Sequence, residues 1–215
     1  MTRLIIFDLD GTLLDTIGDL AAAANHMLRL RGLGEHSYDD YRRFVGNGIL
    51  RLVERALPEE LRTPDYVQAA RADFLAYYIG HIDGATVPYA GIPALLAALT
   101  GRGVTLAVAS NKFQAGTEKL IRSYFPTIPF AVVLGQRAGV PLKPDPAVVG
   151  EILAACRIDR SETLYVGDSG IDIETARAAG VRSAGVTWGF RARAELEAAA
   201  ADHIVTRPEE LLTLL

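Results

Sequence analysis

The chain has 215 residues, of which 50% are hydrophobic and 22% charged, a composition typical of a globular protein that buries a substantial core. Its formal net charge of -4 provides no basic surface for nucleic acid, and no signal peptide or membrane span is recognisable, so we expect neither nucleic acid nor a membrane as a partner. Cys156 is the only cysteine, which excludes an intramolecular disulfide and favours a reducing cytoplasm as the location.

The first predicted element is a strand at residues 4–7, an apolar run that ends at Asp8, Asp10 and Gly11. Such a run is typical of a strand buried on both faces of a parallel sheet. The two acids then lie at the carboxyl end of the strand, where ligands bind in open α/β sheets, and alternation points them to the same side. Because close carboxylates repel each other in a partly dry site, we expect a divalent cation between them, most simply Mg²⁺. An ordinary Asp-Gly turn is the alternative from this segment alone.

The next segment, residues 16–81, contains helix signals and no convincing strand. Its predicted helices span residues 17–31, 38–45, 49–57 and 65–79. A capping box of Ser37 and Asp40 opens the second of them. A helical block between segments that contain strands indicates an inserted domain. We therefore predict a helical cap at residues 15–84, inserted into a catalytic core formed by residues 1–14 and 85–215.

Beyond the helical block, strand and helix patterns alternate. The predicted strands span residues 104–109, 131–134, 163–166, 182–186 and 203–205. The predicted helices span residues 92–99, 115–124, 147–156 and 171–179, and a last helix runs to residue 215 behind a cap formed by Thr206 and Glu209. This alternation predicts an α/β fold with a doubly wound, Rossmann-like parallel sheet as the core.

Polar residues suited to catalysis lie in the segments that follow the predicted strands. The candidates are Asp8, Asp10, Ser110, Asn111, Lys143, Asp168 and Asp172. A parallel sheet gathers these segments at one edge, so we expect the side chains to meet there. Several carboxylates, a hydroxyl and a lysine are the groups that phosphoryl transfer through an aspartyl-phosphate requires. Asp8, at the strand end, suits the nucleophile, and Asp10 suits the general acid and base.

Four of these segments, in order, resemble the motifs of the haloacid dehalogenase-like hydrolase superfamily. They are residues 8–12, 110–111, 143–144 and 167–172. Within that superfamily the chain looks most similar to phosphoglycolate phosphatases with a helical cap, notably at residues 143–146 and 185–189. The resemblance implies a Mg²⁺-dependent phosphatase that acts on a small phosphorylated metabolite.

The resemblance also implies a role for each residue that matches a motif. Asp8 would be the nucleophile and a metal ligand, and Asp10 the acid and base that also ligates through its backbone carbonyl. Asp168 would be a metal ligand, and Asp172 would act behind the ligands or through a water molecule. The remaining contacts, to phosphate and substrate, would come from Ser110, Asn111 and Lys143.

The turn Gly46-Asn47-Gly48 in the helical block is a candidate substrate-facing loop. Its backbone amides would approach the leaving group, and Arg43 beside it could bind a substrate carboxylate through its guanidinium fork. A plain turn and a solvated surface charge are the alternatives for these residues.

Two sequence features separate the possible reactions. Asp10 favours phosphoryl transfer, since metal-independent dehalogenases of the superfamily lack an acid at that position. The absence of lysine from residues 16–81 argues against the phosphonate-cleaving relatives, which use a cap lysine as a Schiff base. We therefore expect hydrolysis of a small phosphomonoester such as 2-phosphoglycolate. The alternatives are a sugar phosphomutase of the same superfamily and, from a different class, a phospho-accepting receiver module, although a receiver would lack the helical block.

Overall fold

The computed structural model describes residues 1–215, which form two compact units. One unit contains Met1–Asp15 and Pro88–Leu215, and the other contains Thr16–Val87. The predicted boundaries, after residues 14 and 84, lie slightly earlier than these. No helix in either unit combines the length and the apolar character needed to cross a membrane.

The Thr16–Val87 unit is helical. Its helices are α1 (Ile17–Leu30), α2 (Tyr38–Phe44), α3 (Gly48–Ala56) and α4 (Pro64–Tyr78), with a short 3₁₀ helix at Glu59–Leu61. The predicted capping box at the start of α2 is confirmed, because Ser37 Oγ accepts from Asp40 N and Asp40 Oδ2 accepts from Ser37 N. Leu20, Met27 and Phe74 are among the side chains buried in the interior of this unit.

A buried carboxylate joins the two ends of the helical unit. Asp19, in the first turn of α1, accepts hydrogen bonds from Ala85 N at 2.8 Å and from Thr86 N at 2.8 Å. The Thr86 hydroxyl donates a third bond to Asp19 at 2.7 Å. These contacts hold residues 85 and 86 against α1, which explains why this unit extends beyond the predicted end at residue 84.

The other unit contains a six-stranded parallel sheet. Its strands are β1 (Leu4–Phe7), β4 (Thr105–Phe113), β5 (Phe130–Gln136), β6 (Thr163–Gly167), β7 (Arg182–Val186) and β8 (His203–Val205). Two short strands, β2 (Leu14–Asp15) and β3 (Val87–Pro88), pair with each other separately. The sheet order β5-β4-β1-β6-β7-β8 confirms the predicted doubly wound fold. The strand order reverses at β1, and ligands bind at such a reversal in open α/β sheets.

The register of the sheet brings the candidate catalytic segments to one edge. Phe7, the last residue of β1, lies opposite Val108 of β4 and Val166 of β6. The residues that follow these three positions therefore leave the sheet at the same level. Every residue of β1 is buried, as expected for a central strand with both faces covered.

The helices of the sheet-containing unit are α5 (Ile92–Gly101), α6 (Gln114–Tyr124), α7 (Ala147–Cys156), α8 (Gly170–Ala179) and α9 (Arg193–Ala198). Short 3₁₀ helices are present at Arg160–Glu162 and Pro208–Leu214. The prediction of a last helix capped by Thr206 and Glu209 was wrong. The segment is a 3₁₀ helix, and the Thr206 backbone and hydroxyl donate to Glu210. This spacing places the accepting carboxylate one residue later than a capping box requires.

The predicted end of the strand at residues 104–109 was also wrong. β4 continues to Phe113, so Ser110 and Asn111 lie within the strand and do not follow it. The pairing of β4 with β5 is irregular between Ala109 and Phe113. The backbone of β4 thus stays extended for five residues beyond Val108, the residue opposite the end of β1. Its side chains therefore continue to alternate between the two faces after β1 has ended.

Candidate active site

Three buried aspartates converge at the carboxyl edge of the sheet. Asp8 follows β1, Asp168 follows β6 and Asp172 lies in the first turn of α8. Each offers a carboxylate oxygen, and these atoms all lie within 4.8 Å of one another. Residues that are far apart in the sequence therefore meet at the carboxyl ends of β1 and β6, as the predicted sheet implied.

Asp168 is held by neighbours on two other loops. Its Oδ2 accepts a 2.7 Å hydrogen bond from Phe190 N, and its Oδ1 lies 3.4 Å from Thr12 Oγ1. Gly11 and Gly189 pack so closely against Asp168 that a Cβ atom at either position would collide with it. Glycine at these two positions lets both loops approach the carboxylate closely.

Asp172 has a structural partner for each of its oxygens. Its Oδ2 accepts hydrogen bonds from Ser169 N at 3.1 Å and Ser169 Oγ at 2.6 Å, which caps α8. Its Oδ1 accepts a 2.7 Å bond from Lys143 Nζ. This arrangement favours a role behind the metal ligands, which is one of the roles that the sequence resemblance implies for Asp172.

Lys143 is buried among polar groups of the site. Its ammonium also donates to Ala109 O and to the Tyr165 hydroxyl, both at 3.1 Å. The same Nζ forms an ion pair with Asp8 Oδ1 at 2.9 Å. Lys143 is therefore the cation nearest to the predicted nucleophile.

The Asn111 side chain holds the backbone of Lys143. Its Oδ1 accepts from Lys143 N at 2.9 Å, and its Nδ2 donates to Lys143 O at 3.2 Å. Sequence reasoning placed Asn111 on the substrate, whereas these two bonds favour a role in positioning Lys143. Tyr165, which contacts the Lys143 ammonium, was not among the predicted residues and is fully buried in β6.

Burial dominates the electrostatics of the acid cluster. It raises the pKa of Asp8 to about 7, although the ammonium of Lys143 acts in the opposite direction. Burial likewise holds the pKa of Asp168 well above its usual range. Burial alone would lower the pKa of Lys143, but the carboxylates of Asp172 and Asp8 outweigh it and hold that pKa well above its ordinary value. The site therefore favours added positive charge.

Asp10 lies apart from the cluster of three and forms an ion pair with Lys112. The Lys112 Nζ is 2.9 Å from Asp10 Oδ1 and 3.2 Å from Asp10 Oδ2. Sequence reasoning missed Lys112. A signal was present, because Lys112 and Ser110 are two residues apart and therefore share one face of an extended strand. That signal depends on β4 continuing past residue 109.

Ser110 is buried near the end of β4, and its hydroxyl oxygen accepts a 3.2 Å hydrogen bond from Lys112 N. It lies two positions beyond Val108, the residue opposite the last residue of β1. The hydroxyl group of Ser110 therefore lies on the same part of β4 as Lys112.

The remaining predicted site residues belong to the helical unit. Gly46 and Asn47 lie in the loop before α3, where Gly46 has a φ of 117° that favours glycine. Arg43 is exposed and pairs with Asp40 at 2.5 Å. Arg55, which was not predicted, donates 2.8 Å bonds to Phe44 O and to Asn47 Oδ1 and so fixes this loop.

The acid cluster fits a divalent cation. Its donors are carboxylate oxygens, the hard ligands that Mg²⁺ prefers. Lys112 pairs with Asp10, and Lys143 pairs with Asp8 and Asp172. A divalent ion would add positive charge between Asp8 and Asp168. The Asp8 Oδ1 atom is buried and lies 2.9 Å from the Lys143 ammonium, so such an ion would share this oxygen with Lys143.

The fold is that of a hydrolase family that the sequence already resembled. The family model of haloacid dehalogenase-like hydrolases matches residues 5–186, and the chain belongs to this family. This finding confirms the predicted class and sets aside the receiver-module alternative.

Several relatives that are similar over most of the chain agree on the kind of hydrolase. The chain is 37% identical over 192 residues to the phosphoglycolate phosphatase of Mesorhizobium japonicum, covering 88% of this chain and 85% of that one. It is 33% identical over 218 residues to the phosphoglycolate phosphatase of Aquifex aeolicus, covering 99% and 96%. A crystal structure from Lactobacillus delbrueckii subsp. bulgaricus, provisionally identified as a phosphoglycolate phosphatase, has a TM-score of 0.93 and 33% identity and covers 98% of this chain and 97% of that one. The predicted similarity to phosphoglycolate phosphatases is confirmed.

Proposed function

We propose that this protein is a Mg²⁺-dependent phosphatase that hydrolyses a small phosphomonoester, 2-phosphoglycolate or a similarly compact substrate, through an aspartyl-phosphate intermediate. The convergence of Asp8, Asp168 and Asp172 beside the Lys143 ammonium is the observation that carries the proposal. The phosphoglycolate phosphatases among the relatives support the substrate class.

Asp8 is proposed as the nucleophile of the first step. A carboxylate oxygen of Asp8 forms a bond to phosphorus as the bond from phosphorus to the leaving oxygen breaks. Asp10 donates a proton to that oxygen, so the product leaves as an alcohol. In the second step a water oxygen attacks phosphorus, Asp10 takes the proton of the water, and the Asp8–phosphorus bond breaks. Lys143 stabilises the negative charge of the phosphoryl group, and Ser110 orients it by hydrogen bonding.

The metal site is proposed to use the carboxylates of Asp8 and Asp168 as ligands, together with the backbone carbonyl of Asp10. Asp172 would support it indirectly, because Ser169 and Lys143 already occupy its oxygens. Bound Mg²⁺ supplies Lewis-acid neutralisation of phosphoryl oxygens and lowers the repulsion between substrate and carboxylates.

The helical segment at residues 15–84 is proposed as a cap that excludes water during attack and opens for product release. Gly46 and Asn47 would present backbone amides to the leaving group, and Arg43 would bind a substrate carboxylate. The hydrogen bonds of Arg55 to this loop support the proposal, because they fix the conformation in which those amides are displayed.

Phosphate release by Asp8→Asn is the direct test of the proposed function. With Mg²⁺ and 2-phosphoglycolate, we expect a loss of activity of at least about 10⁴-fold, because an amide is not a nucleophile. Asp145→Asn, at an exposed acid of the same unit, is the matched control and should retain activity. Circular dichroism should show that both variants are folded. Phosphate release at the wild-type rate by Asp8→Asn would refute the assignment.

Two further measurements define the reaction. Chelation by EDTA should abolish activity and Mg²⁺ should restore it, whereas full activity in EDTA would contradict the metal site. A panel of small phosphorylated metabolites should identify the substrate. If NMR showed isomerisation of a hexose 1-phosphate without release of free phosphate, the chain would be a phosphomutase and the proposed hydrolysis would be wrong.

A further inference from the structure

Lys112 is a buried lysine that the mechanism described above does not use. Only 4% of the residue is exposed, and its ammonium lies within 3.2 Å of both oxygens of Asp10. Lysine is seldom fully buried, because removing its charge from water is costly unless a partner compensates. The pairing with Asp10 therefore compensates the buried charge of Lys112 and indicates that this lysine has a role within the site.

The backbone of Lys112 is held in place by three neighbours. Its N–H donates to Ser110 Oγ at 3.2 Å, and its carbonyl accepts from Thr117 Oγ1 at 3.2 Å. Gly135 on β5 packs so close to the Lys112 carbonyl that a Cβ atom would not fit there. The backbone of Lys112 is therefore fixed on β4, and its ammonium is held by the ion pair with Asp10, unlike that of a flexible surface lysine.

The two buried lysines of this edge contact different acids. Lys143 contacts Asp8 and Asp172, whereas Lys112 contacts Asp10. The carboxylate of Asp10 is not one of the three that cluster as potential metal ligands. Lys112 thus holds this carboxylate apart from the group that would bind the cation.

We infer that Lys112 is a positioning residue that holds the Asp10 carboxyl group where it exchanges a proton with the leaving oxygen and then with water. This inference rests on the proposed function, in which Asp10 is the general acid and base. Lys112 itself forms no bond to substrate and transfers no proton. Proton transfer depends steeply on the placement of the acid, so an Asp10 carboxyl free to turn toward the cluster would react more slowly.

A double-mutant cycle on kcat tests the inference, with 2-phosphoglycolate as substrate and Mg²⁺ present. Lys112→Met should lower kcat by about 10- to 100-fold, the scale of a misplaced catalytic group. Asp10→Asn should lower it by about 10²- to 10⁴-fold, the usual contribution of general acid and base catalysis. If Lys112 acts through Asp10, the double variant should be no slower than Asp10→Asn within about twofold. A purely structural role of Lys112 would multiply the two losses.

Lys119→Met, on α6, is the matched lysine control and should retain wild-type kcat, because Lys119 is not one of the residues proposed for the site. Lys112→Gln provides a second variant should Lys112→Met fail to fold, because its amide still offers Asp10 a hydrogen-bond donor. We expect Lys112→Gln to lose less kcat than Lys112→Met and to show the same lack of further loss when combined with Asp10→Asn.

The outcomes separate this inference from the proposed function. Multiplied losses in the double variant, or wild-type kcat in a folded Lys112→Met protein, would overturn the role of Lys112 and leave the phosphatase intact. A wild-type protein that releases no phosphate from any phosphomonoester, or an Asp10→Asn variant with full activity, would overturn the proposed mechanism and the role of Lys112 together.

Discussion

The raised pKa of Asp8 predicts that Mg²⁺ binds more weakly as the pH falls below 7. Burial raises this pKa to about 7, and the ion binds the ionised carboxylate, so binding at lower pH must release a proton. The ionised fraction then falls from about nine-tenths at pH 8 to about one-tenth at pH 6, which makes the apparent Kd about tenfold weaker at pH 6. The raised pKa of Asp168 acts in the same direction. A carboxyl group with an ordinary pKa would give no dependence in this range.

Isothermal titration calorimetry with Mg²⁺ measures both the Kd and the number of protons released. Titrations in buffers of different ionisation enthalpy should show at least about one proton released at pH 6 and fewer at pH 8. Asp145→Asn should keep this dependence, because Asp145 is exposed and lies outside the acid cluster. A Kd that stays constant from pH 6 to pH 8, with no proton release, would refute the argument from burial.

Three further substitutions test the contacts around the site and within the helical unit. Tyr165→Phe should lower the free energy of unfolding by about 2 kcal/mol, because the Lys143 ammonium loses a buried hydrogen-bond partner; urea denaturation measures this loss. Asn111→Ala should lower kcat by about tenfold or more, since it releases the backbone of Lys143, and steady-state phosphate release measures the change. Asp19→Ala should destabilise the helical unit by about 3 kcal/mol in urea, because it leaves the buried amide and hydroxyl of Thr86 without their acceptor.

Control variants make these three results interpretable. Tyr38→Phe removes a hydroxyl from a tyrosine that is 59% exposed, so the free energy of unfolding should stay within about 0.5 kcal/mol of wild type. An unchanged unfolding curve for Tyr165→Phe or Asp19→Ala would show that the corresponding hydrogen bonds contribute no net stability. Wild-type kcat for Asn111→Ala would show that Lys143 is held without that side chain.

Much of the fold could be predicted from local patterns. The apolar run at residues 4–7 and the alternation of strands and helices after residue 88 reflect burial in a parallel sheet, which leaves a strong signal in the sequence. The end of β4 could not be predicted in this way, because residues 110–113 are polar and aromatic and their extended form depends on pairing with β5.

The acid cluster and its contact with Lys143 followed from topology, whereas Lys112 and the bonds between Asn111 and Lys143 did not. Asp8 and Asp168 come directly after strands that are neighbours in the sheet, so their meeting could be inferred from the order of the elements. Lys112 was missed because an isolated lysine is most often a solvated charge, and its burial becomes visible only in three dimensions. The bonds between Asn111 and Lys143 join two distant segments and leave no periodic signal.

The close packing of Gly11 and Gly189 on Asp168 has a consequence for how this enzyme can diverge. Glutamate at position 168 would need room for one more methylene group in a space that two backbones already fill, so only the shortest acidic side chain is accommodated. Enlarging either glycine would in turn demand a smaller residue at position 168. Substitutions at positions 11, 168 and 189 therefore constrain one another. A larger residue at any of the three requires a change in the backbone of the loop that packs against it.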